Sequence, residues 1–162
     1  MISLRPATTT DLPSLQALFV QTIRQTCTED YSPAEIAVWT ATVNNLERWQ
    51  TMMKTQYVLV AQSGEHIAGF GTLKDGDYLD FIYVHPDFQG QGVAKQLLSA
   101  LEAEASKQGT TSISSDISIT ARPFFERKGY VVLHENQNER DGEVLVNYRM
   151  EKVLKEPRQG WS

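Results

Sequence analysis

Apolar residues recur at helical spacing through the first third of the chain and at alternating spacing through much of the rest, and that change of period predicts the architecture. Residues 2–5 read as a short strand stopped by Pro6, which has no N–H to give a ladder. Thr10 or Asp11 suits the N-cap of a helix with Pro13 in its first turn and Leu15, Leu18, Phe19, Thr22 and Ile23 along one stripe. Ser32 caps a second helix with Pro33 at its first position, carrying Ile36, Ala37 and Trp39. A short amphipathic piece with Leu46, Trp49, Met52 and Met53 closes this helical third.

Alternation then takes over. Residues 57–61 and 67–73 read as a hairpin about Ser63-Gly64, and Asp75-Gly76 turns the chain into a strand over 78–84 that Pro86 ends. Val93, Leu97, Leu101 and Ala105 mark a long helix over 91–107, with Gly109 as its C-terminal stop. A strand over 112–119 places Ile113, Ile117 and Ile119 on one face; a short helix capped by Thr120 follows, then strands over 130–135 and 144–150 about an Asp141-Gly142 turn. The order β-α-α-β-β-β-α-β-α-β-β, with no internal repeat, is an α/β mixture of the α+β type. Strand, long helix and strand over 78–119 require a parallel, right-handed crossover, so the sheet is mixed.

Composition narrows this to one domain. The 162 residues fit a single core, expected over 1–151, with an aperiodic and loose tail over 152–162. Fifteen basic against 20 acidic side chains give a net charge of −5, which argues against a nucleic-acid binder. A lone cysteine, Cys27, excludes an internal disulfide, and three histidines make no cluster at metal-ligand spacing, so no metal is expected. The opening residues lack the apolar core of a secretory signal and no apolar run approaches the roughly 18 residues that cross a bilayer. A cytoplasmic protein without a membrane partner is expected.

The chemistry concentrates at Gln89-Gly90-Gln91-Gly92-Val93-Ala94, between a strand end and the N-terminus of the clearest helix. Free N–H groups and the positive end of a helix dipole meet there, and glycine lets an anion approach the backbone, so the segment suits a phosphate or pyrophosphate; a bare structural turn is the alternative. It is neither a G-x-x-x-x-G-K-[ST] loop nor a dinucleotide fingerprint, since Lys95 stands where the latter needs Gly or Ala.

Val84-His85-Pro86 followed by Gln89-x-x-Gly92-x-Ala94 resembles the signature of the GNAT superfamily of N-acetyltransferases. Ala121-x-x-Phe124-Phe125-Glu126-x-x-Gly129-Tyr130 is similar to that family's second motif, and Arg5-Pro6-Ala7 with Asp11-Leu12 to its common opening. Tyr31-Ser32-Pro33, Trp39, the run 118–127 and Asn147-Tyr148-x-Met150 resemble a bacterial subgroup labelled YafP-like. The resemblance spans residues 2–151. It implies a mostly antiparallel sheet of about seven strands with four helices, and acetyl-CoA as acetyl donor.

By that resemblance, the pyrophosphate lies on the amides of Gln89, Gly90, Gln91, Gly92, Val93 and Ala94, and the pantetheine arm pairs with backbone of Ile82, Tyr83 and Val84. Ser118 replaces the family's asparagine beside the arm, with one hydroxyl in place of an amide. Phe124 and Phe125 flank the cofactor, and Phe125 stands where the family usually has a tyrosine that protonates the departing thiolate. Phenylalanine donates no proton, so the acid is unassigned; water, Tyr31, Tyr83 or Tyr148 are the substitutes. A backbone N–H at Tyr83 or Val84 is the expected oxyanion donor.

An acceptor amine of pKa about 10.4 is protonated at neutral pH, a handicap of roughly 4–5 kcal/mol, so a base or water relay is expected. Asp80 is the candidate, because a carboxylate in a mostly apolar strand is out of pattern; the alternative is an Asp80 that faces solvent or takes a hydrogen bond from the next strand, and Glu29 and Asp30 are the other carboxylates considered. Tyr31, Trp39 and Asn147 are candidate walls of the acceptor pocket. Three functions compete: direct transfer of acetyl to a primary amine of a small molecule or peptide in a ternary complex, an acyl-CoA-binding sensor with little turnover, and acetylation of charged tRNA, which the acidic charge disfavours. A monomer or homodimer is compatible with each.

Overall fold

The computed structural model describes residues 1–154. Seven strands, β1 (Ile2–Pro6), β2 (Tyr57–Ser63), β3 (His66–Lys74), β4 (Tyr78–Val84), β5 (Ser112–Ser118), β6 (Val131–Arg140) and β7 (Glu143–Val153), form one sheet in the order β1-β2-β3-β4-β5-β7-β6. Every neighbouring pair is antiparallel except β4 with β5. Five α-helices cover it: α1 (Leu12–Thr26), α2 (Pro33–Thr40), α3 (Leu46–Thr55), α4 (Val93–Lys107) and α5 (Arg122–Arg127). The fifth helix beyond the four expected is α3, which the amphipathic piece about Trp49 builds in its own right, capped by the Asn45 side chain on the Arg48 amide.

Two apolar cores lie on opposite faces of the sheet, which makes three layers. The stripe of α1 (Leu15, Leu18, Phe19 and Ile23) joins Ile36 of α2 and Trp49 and Met52 of α3 against Val58, Val60, Phe70 and Phe81. On the other face, Val93, Leu97, Leu101 and Ala105 of α4 and Phe125 of α5 pack on Leu59, Leu73, Leu79, Ile113, Ile117 and Met150. Gly69 and Gly71 of β3 let α4 approach closely: a Cβ at Gly71 would stand 2.7 Å from Leu101 Cδ1.

Ser32 accepts the Glu35 amide in a capping box with Pro33 at the first position, as the sequence reads. Other boundaries move. Ile119 leaves β5 and joins the α1–α3 core, apart from Ile113 and Ile117, because the strand ends at Ser118. Strand β6 runs on to Arg140 through the polar residues His134-Glu135-Asn136-Gln137-Asn138-Glu139, an edge strand without an apolar face to announce it. Strand β7 extends past 151 to Val153, where Lys152 pairs with Glu102 of α4 at 3.1 Å and Leu154 is buried, so these three residues belong to the domain; the rest of the expected tail lies outside the described residues. Among the described residues no helix is long and apolar enough to cross a membrane.

Candidate active site

Strands β4 and β5 pair only at Tyr78 with Ser114 and Leu79 with Ser115, and then separate. The Ser115 hydroxyl donates to the Leu79 carbonyl at 2.6 Å at the point of divergence. Beyond it, no described strand pairs with the inner edge of β4. His85 N–H donates to the Ala68 carbonyl and Phe81 N–H to Thr72 Oγ1, so these residues face β3, with Tyr83 between them opposite Phe70. Alternation then turns the amides of Ile82 and Val84 to the gap. The Val84 carbonyl is already occupied by Thr22 Oγ1 at 3.1 Å and Gln89 Nε2 at 2.7 Å, which leaves its N–H. Of the three backbone positions expected beside an extended ligand, Ile82 and Val84 face the gap and Tyr83 does not.

At the end of β4 the chain makes a short 3-10 turn over Pro86–Phe88 and enters the glycine segment. Gly90 and Gly92 both hold positive φ, 75° and 78°, and neither has an atom within 4 Å of where a Cβ would stand. Gly92 is the N-cap of α4, so the first N–H groups of the helix, from Val93 on, open into free space beside the gap. Gln89 directs its side chain back to β4 and its N–H to the Pro86 carbonyl at 3.4 Å, so it is not one of the free amides expected, and Gln91 directs its side chain to the Asp87 carbonyl at 3.4 Å. A cradle of unpaired N–H groups at a helix start, continuous with an unpaired strand edge, fits a pyrophosphate followed by an amide-bearing arm.

A bulge shapes the middle of β4. Thr72 of β3 lies opposite Phe81 and Leu73 opposite Leu79, so Asp80 is an extra residue without a partner. It breaks the alternation. Leu79 packs with α4, whereas Asp80 and Phe81 both meet residues of α3. Arg48 Nη2 and Nη1 donate to Asp80 Oδ1 and Oδ2 at 3.0 and 3.3 Å, Gln56 Nε2 donates to Oδ2 at 2.7 Å, and the guanidinium lies over the Phe81 ring at 5.0 Å. Asp80 is therefore neither solvent-facing nor bonded from the adjacent strand. Gln56 Oε1, behind it, is buried without a partner.

A cavity of about 770 Å³ opens on the α1–α3 side and reaches through the gap to Ser118, Ala121 and Phe125. It brings together half of the expected residues: Tyr31, Trp39, Asp80, Ile82, Tyr83, Ser118, Phe125 and Asn147. Val84, Phe124 and the glycine segment lie outside its lining, as do Glu29 and Asp30. Asp30 takes the Thr120 hydroxyl at 2.8 Å, and Phe124 packs between Phe125 and Lys128.

The hydroxyls differ in what they have left to give. Tyr31 donates to the Val146 carbonyl at 2.5 Å and accepts the Ile119 amide at 3.0 Å, while burial pushes its phenol up to about 12, so it ties β7 to the end of β5. Tyr148 lies outside the cavity under Arg122, 4.6 Å from the ring centroid. Tyr83 lines the cavity, with Phe19 edge-on at 4.9 Å; burial raises its phenol and the Trp39 indole N–H opposes the rise. Ser118 Oγ accepts the Ala121 amide at 3.1 Å and keeps its hydrogen to donate. Phe125 is buried between Phe124 and Tyr130 at centroid distances of 5.3 and 5.1 Å.

A second carboxylate on the cavity wall escaped the sequence. Asp116 of β5 accepts Arg149 Nε at 2.8 Å and Nη2 at 3.0 Å, the Tyr78 hydroxyl at 2.6 Å and Asn136 Nδ2 at 2.8 Å. Burial pushes its pKa up, but Arg149 and Tyr78 together hold it below the usual carboxylate range. Asn136 and Asn138 also donate to Asn147 Oδ1 at 2.9 and 3.1 Å, which fixes Asn147 in this network. The criterion that selects Asp80, a carboxylate in a mostly apolar strand, passes over Asp116 because β5 is mostly serine around it.

Residues 27–152 match the acetyltransferase (GNAT) domain model. The chain belongs to the GNAT acetyltransferase family. It is 31% identical over 140 residues to YafP of Escherichia coli K12, an uncharacterized N-acetyltransferase, covering 86% of this chain and 88% of that one. A crystal structure of a GCN5-related N-acetyltransferase from Rhodopseudomonas palustris superposes with a TM-score of 0.90 at 34% identity, covering 94% and 95% of the two chains. The PaiA N-acetyltransferase of Thermoplasma acidophilum, in complex with coenzyme A, shares the fold at TM-score 0.77 and 21% identity over 94% and 99%. In this GNAT domain the mixed sheet is mostly antiparallel with one parallel pair, and that pair is the one that opens.

Proposed function

We propose that this GNAT domain transfers an acetyl group from acetyl-CoA to a primary amine of a small molecule or peptide, by direct attack while both substrates are bound. The observation that carries the reading is the gap between β4 and β5, reached from the helix start of α4 on one side and from the cavity over α1–α3 on the other. The thioester supplies the activated acyl group. The likeness to a fold solved with coenzyme A supports that donor.

The chain's own residues divide the work. The amides of Gly90, Gln91, Gly92, Val93 and Ala94 hold the pyrophosphate against the positive end of α4, without that of Gln89, which is given to the Pro86 carbonyl. Ile82 pairs with the arm through its backbone, with Ser118 donating from the opposite edge. The Val84 N–H, with its carbonyl already occupied, is the donor available to charge that builds on the acyl oxygen. Phe124 and Phe125 exclude water at the thiol end. Tyr31, Trp39 and Asn147 shape the acceptor side, and Asp80 takes the amine's proton, directly or through water.

A second reading rests on Phe125. With no hydroxyl there, Tyr31 spent on two bonds and Tyr78 on Asp116, the phenol left on the described cavity wall is that of Tyr83, on the α1–α3 side rather than beside Phe125, and a sensor that binds acyl-CoA without turnover would be built this way. Release of free thiol from acetyl-CoA, followed with a panel of primary amines, separates the two. Turnover with an amine is expected; micromolar acetyl-CoA binding with no turnover on any acceptor would assign the sensor.

A further inference from the structure

We infer that the Arg48 guanidinium is a built-in occupant of the acceptor's ammonium subsite, and that a primary ammonium must displace it from Asp80 before reaction. This rests on the reading of Asp80 as the group that receives the amine.

A carboxylate and an aromatic face at right spacing are what bind an alkylammonium or guanidinium ion. Asp80 and Phe81 provide both, side by side, only because the bulge puts these consecutive residues on one face. Arg48 already fills that place, with two hydrogen bonds to the carboxylate and its charge over the ring. Gln56 holds the carboxylate from behind at 2.7 Å and lies outside the cavity lining, whereas Arg48 is part of the lining. Withdrawing Arg48 thus opens Asp80 to the cavity without loosening its support.

Arg48 is suited to leaving. Its side chain is 45% exposed, against 9% for Asp80, and it belongs to the first turn of α3, where its backbone is fixed by the Asn45 cap whatever the side chain does. An ion pair with one end in solvent is worth little net, so exchange for another cation costs little. The rest of the cavity does not replace the charge: with Asp116 already paired with Arg149, three lining carboxylates, Asp80, Glu139 and Asp141, face two lining guanidinium groups, Arg48 and Arg140. Moving Arg48 aside leaves a negative excess that an entering monocation offsets.

The consequence is selectivity by competition. Apparent affinity for a cationic acceptor is scaled by the fraction of molecules in which Arg48 is out. Arg48 is a positioning residue here, acting through Asp80.

The full chain, as wild type, Arg48→Ala, Arg48→Lys and Asp80→Asn, is titrated with n-butylammonium by calorimetry and by fluorescence of Trp39 and Trp49, which line the cavity. Arg48→Ala is expected to bind about threefold to fivefold tighter than wild type, with Arg48→Lys between them and Asp80→Asn not binding. Guanidinium chloride at millimolar, non-denaturing concentration should compete in Arg48→Ala and so restore the wild-type affinity. In acetyl transfer the gain should appear in KM with kcat little changed. Equal or weaker binding by Arg48→Ala, or no binding by either, overturns the inference. Absence of thiol release by every variant, with tighter ammonium binding by Arg48→Ala, would instead count against the transferase reading and leave the subsite standing.

Discussion

Ser115 and Leu79 mark the fork in the sheet: the serine hydroxyl donates to the leucine carbonyl at 2.6 Å at the last paired position of β4 and β5. Both residues are buried, so the carbonyl loses a close donor if the hydroxyl is removed. Ser115→Ala should cost about 1–3 kcal/mol, the range for a buried acceptor left unpaired. Urea unfolding checks this, and saturating acetyl-CoA should recover part of the loss because it binds only the folded chain.

Gly92 is held at φ 78° as the N-cap of α4 with open space where a side chain would go. A residue with a Cβ meets backbone strain of about 1–2 kcal/mol there, and a branched one blocks the approach to the helix amides. Gly92→Val is expected to keep its helix content and lose at least about tenfold in acetyl-CoA affinity, since one lost charge-assisted hydrogen bond contributes that much. Gly64→Ala, at φ 58° in a distant hairpin and equally open, is the control: similar strain with affinity unchanged. Retained affinity in Gly92→Val would remove the pyrophosphate from this turn.

Much of this was written in the chain, for physical reasons that differ by element. Val93, Leu97, Leu101 and Ala105 announce α4 because one helix face is buried, and Gly90 and Gly92 announce the turn because positive φ is costly for other residues. The bulge at Asp80 had no local signal, since it exists only in the pairing of β4 with β3. Arg48 lies 32 residues away on the polar side of a helix, where nothing in its neighbourhood points to a carboxylate. Tyr31 shows the limit from the other direction: its place in the cavity was legible, but the two backbone partners that consume its hydroxyl come from Ile119 and Val146, and only the folded chain brings those together.

Phe125 is buried against Phe124 and Tyr130 and borders the cavity, so Phe125→Tyr restores a hydroxyl at the thiol end. A thiol of pKa about 8.5 leaves tolerably unaided at neutral pH, and turnover is expected to change by no more than about threefold. Asp80→Asn, by contrast, should lower it by about 10² or more, the contribution typical of a positioned base. Steady-state thiol release with a reactive amine measures both. A gain of about 10² in Phe125→Tyr would mean that the natural chain is short of an acid and built to bind more than to turn over.

Asp11 receives Arg5 Nη1 and Nη2 at 2.8 and 2.9 Å and the Thr8 amide at 2.8 Å, joining β1 to the start of α1. Hydrogen bonds from Arg5, opposed by burial and aided by Thr8, hold its pKa down at about 2. Its unfolded value is about 3.9, so the folded form binds the proton less tightly and the contribution to stability is complete above that pH. It is lost as pH falls from about 4 through about 2, never as pH rises. With Arg5 partly in solvent, the contribution at neutral pH is about 1 kcal/mol. Asp11→Asn should therefore lower stability at pH 7 by about that much and flatten the acid limb of the stability profile between about pH 4 and 2, where the wild type falls. Parallel acid limbs in the two proteins, measured by urea unfolding across that window, would take the pH dependence away from this pair.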